Sequence, residues 1–329
     1  MNAWDIFYAN TVKNSLVKNG DRILLSVSGG PDSVCMFHLF RRLSKKTDIE
    51  LVTASFDHGL RKESAKETLL VSELSEKLGI RCISRKIAAK EYALKHSVSI
   101  ETAGRSLRYA NLEDIARELK CNKIATAHNA NDNAETVLMW LLRGSGSLAG
   151  IPQRRHAGKN IEIIRPLLPV NRKKIEEYVK KQKLPFCTDK SNFSREYTRN
   201  RIRLDIIPHL EKINPMAVEH IFSLSGIQAR EDAYFEEISI IFAKKCAVIS
   251  KNRILLDLTR FLRYNEAIRY RVLKYLFPDK KYASHINAVM DRILSAEKAE
   301  YRLSSQWIFR ISAGIACKAR KAVFERKKS

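Results

Sequence analysis

The stretch RILLSVSGGPDSVCMFHLF, residues 22–40, decides the fold. Ile23, Leu24, Leu25 and Val27 form an apolar run of the length of a buried strand. Val34 to Leu43 carry apolar side chains on one face at helical spacing. Between them lies Ser28-Gly29-Gly30-Pro31-Asp32-Ser33. Strand, glycine-rich turn and helix start, in that order, aim unpaired backbone N–H groups and the positive end of a helix dipole at the turn. The two glycines let the backbone approach a bulky anion, and the hydroxyls of Ser28 and Ser33 add donors. Asp32 is the odd member. A carboxylate beside a phosphate repels it unless a cation lies between, and Mg²⁺ bridging phosphate oxygens resolves the conflict. A plain helix start capped by Ser and Asp is the competing reading. No Gly-x-x-x-x-Gly-Lys-Ser/Thr occurs in the chain, so the turn is not the P-loop of kinases and GTPases.

Outward from this turn, strand and helix signals alternate over the first two hundred residues. Strands are expected at Ile49–Phe56, Arg81–Ile87, Lys123–His128 and, more weakly, Ile161–Leu167. Helices are expected at Glu63–Leu78, Ser99–Lys120 and Asn133–Leu142. Such alternation predicts an α/β fold, a parallel twisted sheet with helices on both faces. Ligands in these sheets bind beyond the C-terminal strand ends. Three polar clusters fall there: the Ser28–Ser33 turn, Asp57-His58, and His128 with the residues after it.

Lys and Arg number 60 against 36 Asp and Glu, a net charge of +24. A surplus of that size points to a polyanionic partner. No apolar stretch is long enough to span a membrane, and MNAWDIFYANTVKN at the N-terminus lacks the apolar core of a signal peptide. The expectation is therefore a cytoplasmic protein that meets nucleic acid rather than a membrane. The cysteines, Cys35, Cys82, Cys121, Cys187, Cys246 and Cys317, show no Cys-x-x-Cys spacing, which gives zinc ribbons and redox pairs no support.

From Arg172 the texture changes. Residues 172–203 carry eleven Lys or Arg against four Asp or Glu. The helix expected at Asn171–Gln182, with Arg172, Lys173 and Lys174, and the later Arg199, Arg201 and Arg203 are accordingly expected to touch RNA. Pro208 and Pro215 read as flanking a linker. Beyond it, helices are expected at Met216–Lys245, Tyr264–Leu276 and Ala283–Leu294, then short strands. The expected division is 1–210 for the α/β domain that carries the phosphate-binding turn, the candidate catalytic domain, and 211–329 for a smaller, mainly helical domain that meets nucleic acid.

His128-Asn129-Ala130-Asn131-Asp132-Asn133-Ala134-Glu135-Thr136 leaves a strand and enters a helix. Asp132 and Glu135, three apart, share a helix face. Helix capping by Asn131 or Asp132 and active-site chemistry are both compatible with that placement.

The turn resembles the pyrophosphate loop of ATP pyrophosphatases, and the segment from His128 narrows the likeness. It resembles the HxxDDQAET motif of the tRNA(Ile)-lysidine synthetase family. Phe56–Arg61 with Glu63-Ser64, Gly104–Tyr109, Arg165–Leu168, Asp189–Asn192 and Arg199–Arg203 resemble further blocks of that family in the same order. Asn131 stands where the family usually has Asp, and Asn133 where it has Gln. The resemblance implies ATP-dependent formation of lysidine at C2 of the wobble cytidine of tRNA(Ile) with a CAU anticodon. L-lysine would be the second substrate, and AMP and pyrophosphate would be released. In that reading Ser28, Gly29, Gly30, Pro31, Asp32 and Ser33, with Asp57 and His58, hold ATP. Asp32 and Glu135 bind Mg²⁺, Arg108 stabilises charge at the α-phosphate, and His128 and Asp132 handle protons. Alternatives are a tRNA thiolase or another ligase with this loop, or a non-catalytic RNA-binding relative. A homodimer is the default assembly for such an enzyme.

Overall fold

The computed structural model describes every residue except 58–62, 145–146, 159, 188–194, 196, 278–284, 296–299, 303–306, 314–319 and 327–329. His58, the blocks at 58–61 and 189–192, Cys317 and the basic tail from Lys327 lie outside the described residues. The chain divides into two compact units, Met1–Ala229 and Arg230–Ser329.

In the first unit six strands form one sheet. They are β1 (Asp21–Ser26), β2 (Ile49–Asp57), β3 (Arg81–Lys86), β4 (Lys123–Ala125), β5 (Arg154–His156) and β6 (Glu162–Ile164). Their order is β3-β2-β1-β4-β6-β5. All neighbours are parallel except β5, which runs antiparallel to β6 at one edge. The order reverses at β1, whose Leu25 pairs with Thr53 of β2 on one side and Ala125 of β4 on the other. A sheet of this kind opens a crevice at the carboxyl ends of the two strands that flank the reversal.

Alternation along β1 explains why both faces are covered. Ile23, Leu25 and Val27 enter one core with Phe7 of α1 (Ala3–Tyr8), Met36, Phe37 and Phe40 of α2 (Pro31–Leu43) and Ile175 and Val179 of α7 (Arg172–Lys181). Leu24 enters the opposite core with Val52, Ile124, and Leu112 and Ile115 of α5 (Ile100–Glu118). Each such fully buried side chain contributes about 1.5–3 kcal/mol. Helices α3 (Glu63–Lys77), α4 (Ala89–His96) and α6 (Ala130–Leu142) complete the wrapping.

Two short elements differ from the sequence reading. Strand β5 is Arg-Arg-His, exposed throughout, and so carries no apolar alternation; its charges blunt an open sheet edge. The stretch from Pro208, read as a linker, is helical. The short α8 (Thr198–Arg201) passes through a π-helical turn, Ile202–Ile206, into α9 (Ile207–Ile213), where Pro208 sits in the first turn. Proline is tolerated there because the π-helical turn just before it already interrupts the regular i→i−4 ladder.

The division between units falls later than the expected 210/211, inside α10 (Ala217–Cys246). The N-terminal part of α10 belongs to the first unit, since Val218 packs with Ala130, Ala134, Ile202 and Ile207. The second unit is not helical alone. Its α11 (Leu258–Phe261), α12 (Glu266–Leu276) and α13 (Ile286–Leu294) share a core with an antiparallel sheet. That sheet contains β7 (Ala247–Ile249), β8 (Arg253–Asp257), β9 (Glu300–Arg302), β10 (Trp307–Ala313) and β11 (Arg320–Arg326), in the order β7-β8-β11-β10-β9. Phe261, Phe309 and Phe324 anchor this core. No helix among the described residues is long and apolar enough to cross a membrane.

Candidate active site

The turn after β1 is held by its own hydroxyls. The Ser28 N–H donates to Ser33 Oγ at 3.1 Å, and Ser33 Oγ donates to the Gly30 carbonyl at 2.9 Å. Ser28 Oγ lies 3.2 Å from Ser33 Oγ. Ser33 therefore shapes the loop rather than offering its proton to an anion. Gly29 has φ +84°, and a Cβ there would stand 3.2 Å from the Glu67 carbonyl oxygen. Only glycine fits that combination of left-handed backbone and close approach. Gly30 is the N-cap of α2 and supplies no capping side chain, while Pro31 follows in the first turn. The first amides of α2 are thus left to a ligand, the arrangement that binds phosphate.

Asp32 opens onto this loop half-buried, its Oδ1 buried without a hydrogen-bond partner. Burial, then the nearby Asp132 charge, pushes its pKa up to about 6, against the opposing pull of Arg172, Asn129 and Arg203. An orphaned carboxylate oxygen facing a second carboxylate fits a divalent cation. Among the described residues no cluster of three His, Cys, Asp or Glu could hold a metal alone. The donor set matches a Mg²⁺ that keeps water and takes phosphate oxygens for the rest of its shell.

Across the crevice, the chain leaving β4 starts α6 with a reciprocal cap. Asn129 Oδ1 accepts from the Asp132 N–H, and Asp132 Oδ2 accepts from the Asn129 N–H, both at 3.0 Å. The cap is therefore Asn129, with Asp132 as its partner, and not Asn131. The Asn131 Oδ1 instead accepts from the Arg172 N–H at 2.8 Å, tying α6 to the start of α7. Asn133, fully buried, accepts from the Ile151 N–H and donates to Ser225 Oγ.

Glu135, expected to bind Mg²⁺ with Asp32, is fully buried with its carboxylate turned onto two arginines. Its carboxylate takes Arg199 Nε at 2.7 Å, Arg203 Nε at 2.6 Å and Arg203 Nη2 at 3.0 Å. Asp132 Oδ1 lies 3.4 and 3.3 Å from the Nη2 atoms of the same two arginines. Burial works against the Arg203 charge, yet Glu135, Asp132 and Asp32 together raise its pKa. Arg199 and Arg203, expected on an RNA-binding surface, are thus drawn into the crevice by two carboxylates. Their four-residue spacing puts them on one face, matching the face that Asp132 and Glu135 share, a signal the charge count hid.

The other basic residues expected to meet RNA divide similarly. Arg172 is close enough to Asp32 to lower its pKa, and Lys174 pairs with Glu219 at 3.3 Å. Lys173 and Arg201 are exposed. Asp57 ends β2, half-buried, one strand from the loop.

His128 lies past the end of β4, its Nδ1 3.0 Å from Thr126 Oγ1. Burial first, then Arg165, Arg108, Arg105 and Arg199, hold its pKa well below the usual imidazole value, so the ring is neutral. Arg108 belongs to a group of guanidiniums about Tyr109. Arg105, Arg108 and Arg155 stand 5.3, 5.8 and 5.1 Å from the ring centre. Arg165 lies beside the same residue.

A family model described as a PP-loop domain matches residues 5–210. The tRNA(Ile)-lysidine synthase of Clostridioides difficile is 37% identical over 287 residues, covering 84% of this chain and 62% of its own length. That of Thermosipho africanus is 43% identical over 204 residues, 61% of this chain and 47% of its own. The chain thus spans between 47% and 62% of the length of these relatives. Among solved structures, the U34-tRNA thiolase NcsA of Methanococcus maripaludis is similar in fold, with a TM-score of 0.59 at 20% identity, covering 69% of this chain and 78% of that one. Since the family match takes in the sheet, the glycine-rich turn and the crevice residues from His128 to Arg203, the chain belongs to the PP-loop domain family.

Proposed function

We propose that this protein ligates L-lysine to C2 of the wobble cytidine of tRNA(Ile) bearing a CAU anticodon, at the expense of ATP. The observation that carries the reading is the crevice itself. An uncapped helix start and an orphaned Asp32 oxygen face a carboxylate–arginine cluster across the strand reversal. The likeness to tRNA(Ile)-lysidine synthases supplies the substrate.

The chemistry has two steps. The cytosine C2 oxygen attacks the α-phosphate, and the bond to pyrophosphate breaks. The lysine ε-amine then attacks C2, and AMP leaves with that oxygen. The amides of α2 and the Gly29-Gly30 backbone hold the departing pyrophosphate. Asp32, with Asp132 beside it, would hold Mg²⁺, which supplies charge neutralisation on the phosphates. Arg203 and Arg172, both within electrostatic reach of Asp32, add positive charge where the α-phosphate becomes more negative; Arg108 groups with Arg105 and Arg155 about Tyr109 instead. Glu135 positions Arg199 and Arg203. Burial and the surrounding arginines keep His128 neutral, so its ring can accept a hydrogen bond from the lysine amine and orient it, while the proton that the ammonium must lose goes to a carboxylate such as Asp132 or to water. Lys173 and Arg201 belong to the RNA-facing surface, and the setting is the cytoplasm.

A thiolase would need a reactive thiolate. Burial pushes Cys121 and Cys246 up to about 11 and Cys35 higher still, so these three thiols stay protonated and offer no thiolate for sulfur transfer.

The test is incubation with ATP, labelled lysine and total tRNA, followed by nucleoside mass spectrometry. Lysidine in the isoleucine tRNA is expected. ATP consumption with no lysine in the RNA would overturn the reading.

A further inference from the structure

The guanidiniums of Arg105, Arg108, Arg155 and Arg165 gather on Tyr109 with no acidic partner among the described residues. Arg105 and Arg108 come from α5, Arg155 from β5, and Arg165 follows β6. None of the four lies within ion-pair distance of a carboxylate among the described residues, although most other arginine clusters here are paired. Arg165 is only 3% exposed; its Nη1 donates to the Pro152 carbonyl and its charge leans on Tyr109, yet its Nε has no hydrogen-bond partner. Like charges assembled from three separate elements repel, and a buried guanidinium N–H left unpaired is costly. Such a cluster is a built anion site.

Its place in the sheet says which anion. The pyrophosphate loop follows β1, whereas Arg165 follows β6, two strands away, and Arg155 lies on the strand beyond. At 4.7–4.9 Å per strand that separation is about 10 Å or more. ATP phosphates seated on the α2 amides do not extend sideways across two strands. Arg105 and Arg155 are also exposed, so the site opens to a ligand larger than a nucleotide. Arginine forks suit phosphate oxygens.

We propose that Arg105, Arg108, Arg155 and Arg165 form a second phosphate site, separate from the pyrophosphate loop, that seats a backbone phosphodiester of the RNA beside the reacting nucleotide. This rests on the RNA-modifying reading of the same crevice, and it adds which residues fix the strand next to the base.

The test uses the full chain carrying Arg105→Gln and Arg155→Gln together, both exposed positions whose loss removes repulsion rather than packing. Fluorescence anisotropy with a synthetic anticodon stem–loop RNA is run from 50 to 200 mM KCl, beside the KM for ATP in pyrophosphate exchange. Affinity for the RNA is expected to fall about tenfold or more, and the slope of log affinity against log salt to flatten by about one unit for each phosphate that is no longer neutralised. The KM for ATP should not move. A raised KM for ATP with wild-type RNA affinity would overturn the proposal by placing a nucleotide phosphate there. Wild-type values in both arms would overturn it too. The RNA arm reads binding alone, so a wild-type protein that bound RNA through these arginines but made no lysidine would defeat the function reading and leave this one standing.

Discussion

Asp32 carries a conflict the polypeptide leaves open, because its buried Oδ1 has no partner while Asp132 stands nearby. Its pKa of about 6, against 3.8 for a free side chain, means that folding favours the protonated acid. That contribution is full below pH 3.8 and is lost as pH rises through 6, so the metal-free protein should be less stable at pH 8 than at pH 5. At 1.4 kcal/mol per unit the loss is at most about 3 kcal/mol, and less where water reaches the other oxygen. Asp32→Asn should remove this dependence, raise Tm at pH 8 without metal, and abolish AMP formation. Mg²⁺ should raise the wild-type Tm and leave the variant unmoved; equal Mg²⁺ shifts in both would take Asp32 out of the metal site. Asn131 calls for a different outcome. Its amide oxygen serves only as an acceptor for the Arg172 N–H, which Asp could also do, so Asn131→Asp should keep the wild-type Mg²⁺ requirement. Asn131→Ala should cost about 1 kcal/mol in denaturant unfolding. The turn's role was legible in the residues themselves, since strand, glycines and helix start are local. The partner of Asn131 was not, because it lies 41 positions along the chain.

The pairing of α6 with the helix from Thr198 is what organises the crevice. Two carboxylates three residues apart meet two guanidiniums four residues apart, with Glu135 wholly out of solvent. Removing Arg203 strips Glu135 of two of its three hydrogen bonds while Arg199 still balances its charge, so Arg203→Ala should cost about 1.5–3 kcal/mol. Arg203→Lys should recover little, because Arg203 grips both oxygens of Glu135 through Nε and Nη2 and an ammonium cannot reproduce that fork. Adding Glu135→Gln to Arg203→Ala should restore much of the stability without restoring turnover. Chemical denaturation of the four proteins of this cycle checks it, and strict additivity would mean the pair does not couple. In the sequence the two faces could be read separately, but a basic run in a basic chain looks like a surface. Only the fold shows that α9 continues the helix past Pro208 and holds Arg203 against Glu135. Strand β5 was illegible for the opposite reason, having no buried side to give it a period.

At the scale of the whole molecule, a charge of +24 makes RNA binding salt-dependent, but the structure redistributes where the dependence originates. A cation already neutralised by a carboxylate releases no counterion from RNA when it is removed, whereas a free one contributes about one unit to the slope of log affinity against log salt. Arg199 and Arg203 hold Glu135 and Asp132, and Lys174 holds Glu219. Lys173 and Arg201 are exposed on the same basic stretch. Lys173→Gln and Arg201→Gln should therefore each flatten the slope by about one unit at unchanged Tm. Lys174→Gln should barely alter the slope while losing a few tenths of a kcal/mol to about 1 kcal/mol of stability, as a half-exposed ion pair does. Binding titrations with the isoleucine tRNA between 50 and 200 mM salt separate the two groups. A slope lowered as much by Lys174→Gln as by Lys173→Gln would show that charge count, not pairing, governs how this protein meets RNA.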